Sequence, residues 1–78
     1  MSTSLDIQHI AVIGAGTMGR GIVVSLASAG LSVSWLESNS STLDAGLSMI
    51  EQTWAQQVEK QRITQAQADD HRQRVRTV

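Results

Sequence analysis

The sequence contains no cysteine and no proline, few aromatic residues, no long apolar run and no marked excess of either charge. Without cysteine, the chain has no disulfide bond, no thiolate metal site and no cysteine nucleophile. The net charge is −1, so the chain does not have the excess of basic residues that favours binding to nucleic acid or to an anionic membrane. No apolar stretch approaches the roughly 20 residues that cross a bilayer, so no membrane span is expected.

The length of 78 residues is enough for one small domain. A chain of this size buries only about 60% of the surface that its unfolded form exposes, so its own core is small. Residues 1–8 are polar and lack the basic and apolar regions of a signal peptide. Together with the absence of cysteine, this predicts a cytoplasmic location.

A glycine-rich turn, residues 14–19, follows an apolar run and precedes a helical pattern. The spacing Gly-x-Gly-x-x-Gly in this context is typical of a turn that holds a pyrophosphate at a helix N-terminus. The first glycine allows the sharp turn, the second lets the phosphates approach the backbone, and the third lets the helix pack on the strand. The N–H groups of the first helical turn would face the phosphate charge. The predicted cofactor-binding residues of this turn are Gly14, Ala15, Gly16, Thr17, Met18 and Gly19.

A second candidate position, Glu37, ends the next apolar run about 20 positions after the glycine-rich turn. An acidic residue at this spacing accepts hydrogen bonds from the adenosine ribose, and its charge would repel the 2′-phosphate of NADP. Glu37 and the adjacent Ser38 are therefore expected to contact the ribose of NAD. The alternative is a glycine-rich turn without a ligand, with Glu37 as a surface carboxylate.

Apolar periodicity predicts an α/β chain with a βαβ unit, followed by a long and a short helix. The first strand has the continuous apolar character of a strand buried on both faces. The strands must be parallel because a helix connects them. The predicted elements are strand His9–Ile13, helix Thr17–Ala29, strand Ser32–Glu37, a long helix from Ser40 or Ser41 to about Glu59, a short helix from the Thr64 capping box to about Arg74, and the start of a third strand over residues 75–78.

Within these elements, the first helix is expected to turn four apolar residues towards the sheet, in a stripe that Val23 and Val24 widen. The long helix is expected to start with Asp44 in its first turn and to carry a core-facing apolar stripe. Trp35 is expected to pack in the core, and Arg20 to be a solvated surface residue. The cluster Asp69-Asp70-His71 contains metal-ligand types, but on a polar helix it indicates a solvated face, so no metal site is predicted. The four residues of the first helix are Met18, Ile22, Leu26 and Ala29, and the stripe of the long helix is Leu43, Leu47, Ile50, Trp54 and Val58.

The segment Val-Ile-Gly-Ala-Gly-Thr-Met-Gly-Arg-Gly-Ile at residues 12–22 resembles the NAD-binding domain of 3-hydroxyacyl-CoA dehydrogenases. The resemblance continues through residues 29–31, Glu37, Asn39 and residues 58–64. Where the family commonly has Asp, this chain has Glu37, whose longer side chain can still accept two ribose hydrogen bonds. The resemblance implies a partial Rossmann domain with NAD as its cofactor.

The family's NAD domain is more than twice as long as this chain. Its catalytic His–Glu pair, the assisting Ser and Asn, and its dimerisation domain lie beyond the matched region. The resemblance therefore implies that residues 1–78 are the incomplete N-terminal portion of a dinucleotide-binding domain, without catalytic residues. The parent enzyme would oxidise a 3-hydroxyacyl-CoA to the 3-ketoacyl-CoA by hydride transfer to NAD. The chain alone is expected to bind NAD(H), to be inactive, and to meet an acyl-CoA only within such a parent.

Two alternatives remain open at this point. Flavoproteins that bind FAD use the same turn with Glu after the second strand, although Val23 stands where a small residue is usual in them. The chain could also be a non-catalytic module, since a half-domain leaves a sheet edge and apolar surface uncovered. Such a module would self-associate or pack on a missing remainder.

Overall fold

Three short parallel strands and three helices make up the part of the chain that the structure, a computed structural model, describes. That part is residues 9–77, so the polar segment 1–8 and the last residue of the predicted third strand, Val78, lie outside it. The sheet has the strand order β1-β2-β3, and the predicted parallel βαβ unit is confirmed. The elements are β1 (His9–Ile13), α1 (Thr17–Ser28), β2 (Ser32–Leu36), α2 (Ser40–Glu59), α3 (Gln65–Gln73) and β3 (Val75–Thr77).

The core lies between one face of the sheet and the helices, which contact one another as well as the strands. Its largest side chains are Trp35 of β2 and Trp54 of α2, which are 0% and 2% exposed. The predicted stripe of α2 is confirmed, because Ile50 and Trp54 are buried and the other three residues pack against the core. The buried residues are Val12, Ala15, Val23, Ala27, Val33, Trp35, Ile50, Trp54, Ala68 and Val75.

The other face of the sheet is uncovered within residues 9–77, so the prediction that β1 is buried on both faces is wrong. Along β1, Val12 is buried, whereas Ala11 is exposed and Ile13 is 84% exposed. Successive strand residues point to opposite faces. Because the helices pack on only one of these faces, the apolar residues of the second face remain open to solvent.

The prediction for the core-facing residues of α1 is also wrong in part. Met18 is 80% and Ile22 44% exposed. Leu26 packs against the core as predicted, and the fully buried residues are Val23, from the margin of the predicted stripe, and Ala27, which the prediction did not include. The apolar face of α1 is wide enough to permit more than one rotation about the helix axis. Simultaneous packing on the sheet, α2 and α3 selects the rotation that buries Val23 and Ala27. The helix ends at Ser28, one residue earlier than predicted.

Gly30 follows the end of α1 and has a positive φ of 93°. The N–H groups of Gly30 and Leu31 donate to the carbonyls of Ala27 and Leu26, which is the Schellman arrangement. This turn reverses the chain into β2. β2 then pairs with β1 so that the two strands end at the same level, with Ile13 opposite Leu36.

The N-cap of α2 is Asn39, not Ser40 or Ser41, and its side chain accepts a hydrogen bond from the Thr42 N–H at 3.0 Å. Asp44 consequently lies beyond the first turn of α2.

The predicted capping box of α3 is confirmed, with both Thr64–Gln67 hydrogen bonds formed. His71 packs against Trp54, with ring centroids 5.7 Å apart, so it does not belong to the solvated face that includes Asp69 and Asp70. No group of three or more potential metal ligands occurs in the described residues. None of the described helices is long and apolar enough to cross a bilayer.

Candidate functional site

The glycine-rich turn and Glu37 meet at the edge of the sheet where β1 and β2 end. A cleft of about 410 Å³ opens there, lined by Ile13, Gly14, Leu36, Glu37 and Ser38. In open α/β sheets, ligands bind outside the carboxyl ends of the strands. The fold therefore brings together the two parts of the site that the sequence predicts.

The turn itself starts as a continuation of the sheet. Gly14 has a positive φ of 97°, and its N–H donates to the Leu36 carbonyl at 2.8 Å. Gly16 is the N-cap of α1, and no side chain caps this helix, in contrast to α2 and α3. Its first turn also contains no acidic residue. The positive end of the α1 dipole is thus left open to an anionic ligand.

The surroundings of Gly19 and Gly16 differ, and they show which of these two glycines the fold itself requires. A Cβ on Gly19 would overlap the carbonyl oxygen of Gly14, so α1 can lie this close to the turn only with glycine at position 19. A Cβ on Gly16 would have no atom of residues 9–77 within 4 Å, and its φ of −73° is open to any residue. The fold therefore requires Gly19 but gives no reason for Gly16. The close approach of a ligand to the backbone would supply that reason.

The carboxylate of Glu37 joins the glycine-rich turn to the loop that follows β2. Its Oε1 accepts a hydrogen bond from the Ala15 N–H at 2.9 Å, and its Oε2 accepts one from the Asn39 N–H at 2.9 Å. The Asn39 N–H foremost, and then the Ala15 N–H, hold the pKa of Glu37 below its ordinary value of 4.5, against a smaller opposing effect of desolvation. Glu37 is therefore ionised at neutral pH, as a ribose-binding carboxylate requires.

This lowered pKa gives the contribution of Glu37 to stability a definite pH dependence. Because the pKa is lower in the folded chain, the contribution is fully present above about pH 4.5 and is lost as the pH falls through the folded-state value. We expect the stability difference between the wild type and Glu37→Gln to be constant near neutrality and to shrink below pH 4.5. Urea unfolding at a series of pH values measures it.

The control for this pH series is Glu59→Gln, which changes an exposed glutamate at the end of α2. It removes one glutamate charge at a position away from the glycine-rich turn, and so measures the effect of that charge change alone. A Glu37→Gln difference that is the same at acid and neutral pH would contradict the prediction.

Two further side chains hold the glycine-rich turn, and the sequence did not indicate either contact. The buried Trp35 packs in the core as predicted, but its Nε1–H also donates to the Gly14 carbonyl at 2.8 Å. Arg20 is partly buried, not solvated, and its Nε–H donates to the Ala15 carbonyl at 3.1 Å. Helical side chains lean towards the N-terminus of their helix. The position of Arg20, one turn into α1, was therefore the only feature of the sequence that could have indicated its contact with the turn.

Not all of the predicted site residues border the same cleft. Gly14, Glu37 and Ser38 line the cleft at the strand ends. The Thr17 side chain lines a separate groove of about 270 Å³ between α1 and α2, and the Met18 side chain is exposed. Any contact of these two residues with a pyrophosphate would therefore come from their backbone N–H groups at the start of α1.

Comparison with known protein families gives one match that spans the described chain. The family model for the 3-hydroxyacyl-CoA dehydrogenase, NAD binding domain, matches residues 9–78. The matched region contains the glycine-rich turn, Glu37, and the three helices and three strands described above.

Among curated proteins, the peroxisomal bifunctional enzyme of Danio rerio is 58% identical over 45 residues, which are 58% of this chain and 6% of that protein. The fatty acid oxidation complex subunit alpha of Psychrobacter sp. (strain PRwf-1) is 37% identical over 71 residues, which are 91% of this chain and 10% of that protein. The chain thus spans no more than a tenth of the length of these two relatives.

Solved structures show the same fold over nearly the whole chain. The 3-hydroxybutyryl-CoA dehydrogenase of Escherichia coli K12 superimposes with a TM-score of 0.90 at 30% identity, over 95% of this chain and 16% of that one. The (S)-3-hydroxybutyryl-CoA dehydrogenase of Ralstonia eutropha gives a TM-score of 0.89 at 25% identity, over 94% of this chain and 26% of that one.

Proposed function

The chain belongs to the NAD-binding domain family of the 3-hydroxyacyl-CoA dehydrogenases, and we propose that its glycine-rich turn and Glu37 hold the adenosine diphosphate half of NAD. The observation that carries this proposal is the contact between the two parts of the site. The uncapped start of α1, which suits a pyrophosphate, is joined through the Ala15 N–H to the ionised carboxylate of Glu37, which suits a ribose. Gly14, Ala15, Gly16, Thr17, Met18, Gly19, Glu37 and Ser38 are the proposed contacts.

Within a longer parent protein, this segment would serve the oxidation of a 3-hydroxyacyl-CoA to a 3-ketoacyl-CoA. The nicotinamide of NAD supplies the hydride chemistry, and the protein supplies binding and orientation. The glycine-rich turn and Glu37 bind and orient the adenosine end of the cofactor. We expect no turnover from the chain alone, because the described residues that line the cleft include no histidine to pair with the Glu37 carboxylate. The alternative of an FAD-binding segment does not hold, since the family matched over residues 9–78 binds NAD.

The proposal predicts selectivity for NAD over NADP. The carboxylate of Glu37 would repel a 2′-phosphate, and the residues that follow it, Ser38 and Asn39, carry no compensating positive charge. We expect NADH to bind at least about tenfold more tightly than NADPH, the scale of one lost charge-assisted interaction. Isothermal titration calorimetry of the full chain with each nucleotide measures the ratio.

The variant Glu37→Gln tests whether the carboxylate is the source of this selectivity. It keeps the shape of the side chain but removes the charge, so the ratio of NADH to NADPH affinity should fall towards one. Glu59→Gln, at the far end of α2, should leave the ratio unchanged. Equal affinities of the wild type for both nucleotides would overturn the role of Glu37, and binding of neither by a folded chain would overturn the proposed function.

We further propose that the isolated chain self-associates through the edge formed by β1 and the start of α1. In the described chain, β1 pairs only with β2, which leaves its other edge unpaired. Ile13 of β1 is 84% exposed on the uncovered face of the sheet, Met18 at the start of α1 is 80% exposed, and Ile22 follows one turn further along α1. An unpaired strand edge beside exposed apolar side chains favours pairing with another chain.

Sedimentation velocity at several concentrations tests this self-association. We expect a dimer whose population rises with concentration, and we expect Ile13→Lys to keep the chain monomeric by placing a charge at the edge. Met49→Lys is the matched control, because Met49 is a similarly apolar exposed residue on α2. A wild-type chain that is monomeric at every concentration would overturn the proposal.

A further inference from the structure

One peptide unit of the glycine-rich turn is held at both of its polar ends. The Trp35 Nε1–H donates to the Gly14 carbonyl at 2.8 Å, and Glu37 Oε1 accepts from the Ala15 N–H at 2.9 Å. This carbonyl and this N–H belong to the same planar trans peptide unit, so they point in opposite directions. Two side chains that are two residues apart, at the end of β2, therefore fix the orientation of the unit.

The indole of Trp35 is itself firmly held. The side chain is fully buried, and α2 packs directly on its six-membered ring at Gly46. A Cβ on Gly46 would lie only 2.8 Å from Cη2 and 3.2 Å from Cζ2 of Trp35. The glycine in α2 thus makes room for the ring, and the fixed ring aims its N–H at the turn.

We propose that Trp35 is a positioning residue for cofactor binding, whose indole N–H fixes the Gly14–Ala15 peptide and thereby the N–H groups at the start of α1. Gly14 permits many backbone conformations, so this peptide would otherwise be able to rotate. Rotation would turn the Gly14 carbonyl towards the ligand, where its negative end would oppose a phosphate. The inference rests on the proposed function, because it concerns the same site.

The test compares two tryptophans that each donate one indole hydrogen bond. Trp35→Phe removes the bond to the turn. Trp54→Phe removes an equivalent bond from a buried ring, which donates to Ser28 Oγ at 3.1 Å, away from the turn. We expect Trp35→Phe to weaken NADH binding roughly five- to tenfold, the scale of one lost hydrogen bond, and Trp54→Phe to change it less than about twofold.

A second readout needs no cofactor. In the ligand-free chain, Trp35→Phe should speed hydrogen exchange at the Ala15 amide beyond the change in global stability, because the peptide is no longer held at its carbonyl. Trp54→Phe should leave Ala15 exchange in line with global stability. If Trp35→Phe does not fold, replacing the Trp35 indole by benzothiophene keeps the fused two-ring shape and exchanges the N–H for a sulfur atom, which cannot donate a hydrogen bond. The chain of 78 residues is short enough for chemical synthesis.

The outcomes separate this inference from the proposed function. Weaker NADH binding and faster Ala15 exchange in the Trp35 variants alone support the positioning role. Unchanged affinity and unchanged Ala15 exchange in the same variants overturn it, even when the wild type binds NADH. A folded wild-type chain that binds no NADH overturns the proposed function, and Ala15 exchange then decides whether Trp35 holds the turn.

Discussion

Replacing Gly19 by alanine is expected to lower the free energy of unfolding by about 3 kcal/mol, at the upper end of typical overpacking costs. The new Cβ would overlap the Gly14 carbonyl oxygen and lie 3.0 Å from the carbon of the same group. These are backbone atoms, and the hydrogen bonds from Gly14 to Leu36 and from Trp35 to Gly14 prevent them from moving away. Relief of the overlap would have to separate α1 from the turn. Urea unfolding followed by circular dichroism measures the loss.

The control for Gly19→Ala lies two residues further along the same helix. A Cβ on Gly21 would meet no atom of the described part of the chain within 4 Å, so Gly21→Ala should stabilise the chain by up to about 1 kcal/mol through helix propensity. Opposite signs at these two positions would show that close packing, not helix propensity, determines the cost at Gly19. A Gly19→Ala chain as stable as the wild type would contradict the close approach of α1 to the turn.

The second large effect is expected in binding rather than in stability. Gly16→Ala should weaken NADH binding at least about tenfold, which corresponds to about 1.4 kcal/mol. The added methyl group would stand where the proposed pyrophosphate approaches the backbone. Stability should fall by less than about 1 kcal/mol, because none of the described residues has an atom within 4 Å of the new Cβ and the cost is limited to a poorer N-cap.

Gly16→Ala and Gly19→Ala therefore separate the two reasons for glycine in one short motif. Calorimetric titration and urea unfolding of both variants should show a binding defect in the first and a stability defect in the second. Unchanged NADH affinity in Gly16→Ala would mean that no ligand approaches the backbone at this residue. The proposed placement of the pyrophosphate would then be wrong, although the family membership would stand.

The predictable part of this chain is the part that local patterns determine. A strand, a turn and a helix follow from the order of apolar residues and glycines, and the position of Glu37 follows from its spacing to the turn. The prediction of the core-facing stripe of α2 is confirmed because Ile50 and Trp54 lie in the middle of a narrow apolar face. The capping box at Thr64 was correct because both of its partners lie within one helical turn.

The contacts that were missed depend on tertiary packing. The rotation of α1 was wrong because its apolar face is wide, and only contact with α2 and the sheet selects Val23 and Ala27. The exposure of Ile13 follows from the placement of the helices on a single face. The bond from Trp35 to Gly14 joins two residues whose proximity follows from strand register, and Gly46 is explained only once the Trp35 ring lies against it.

The position of Trp35 also has an optical consequence. The indole lies directly beneath the turn that would carry the cofactor, so its emission should respond to a bound nicotinamide nucleotide by quenching and by energy transfer. The second fluorophore, Trp54, has its ring centroid 5.7 Å from that of His71. In a Trp54→Phe chain, all tryptophan emission would come from Trp35, whose indole N–H contacts the glycine-rich turn. The fluorescence of Trp35 would thus report whether a nucleotide is bound at that turn.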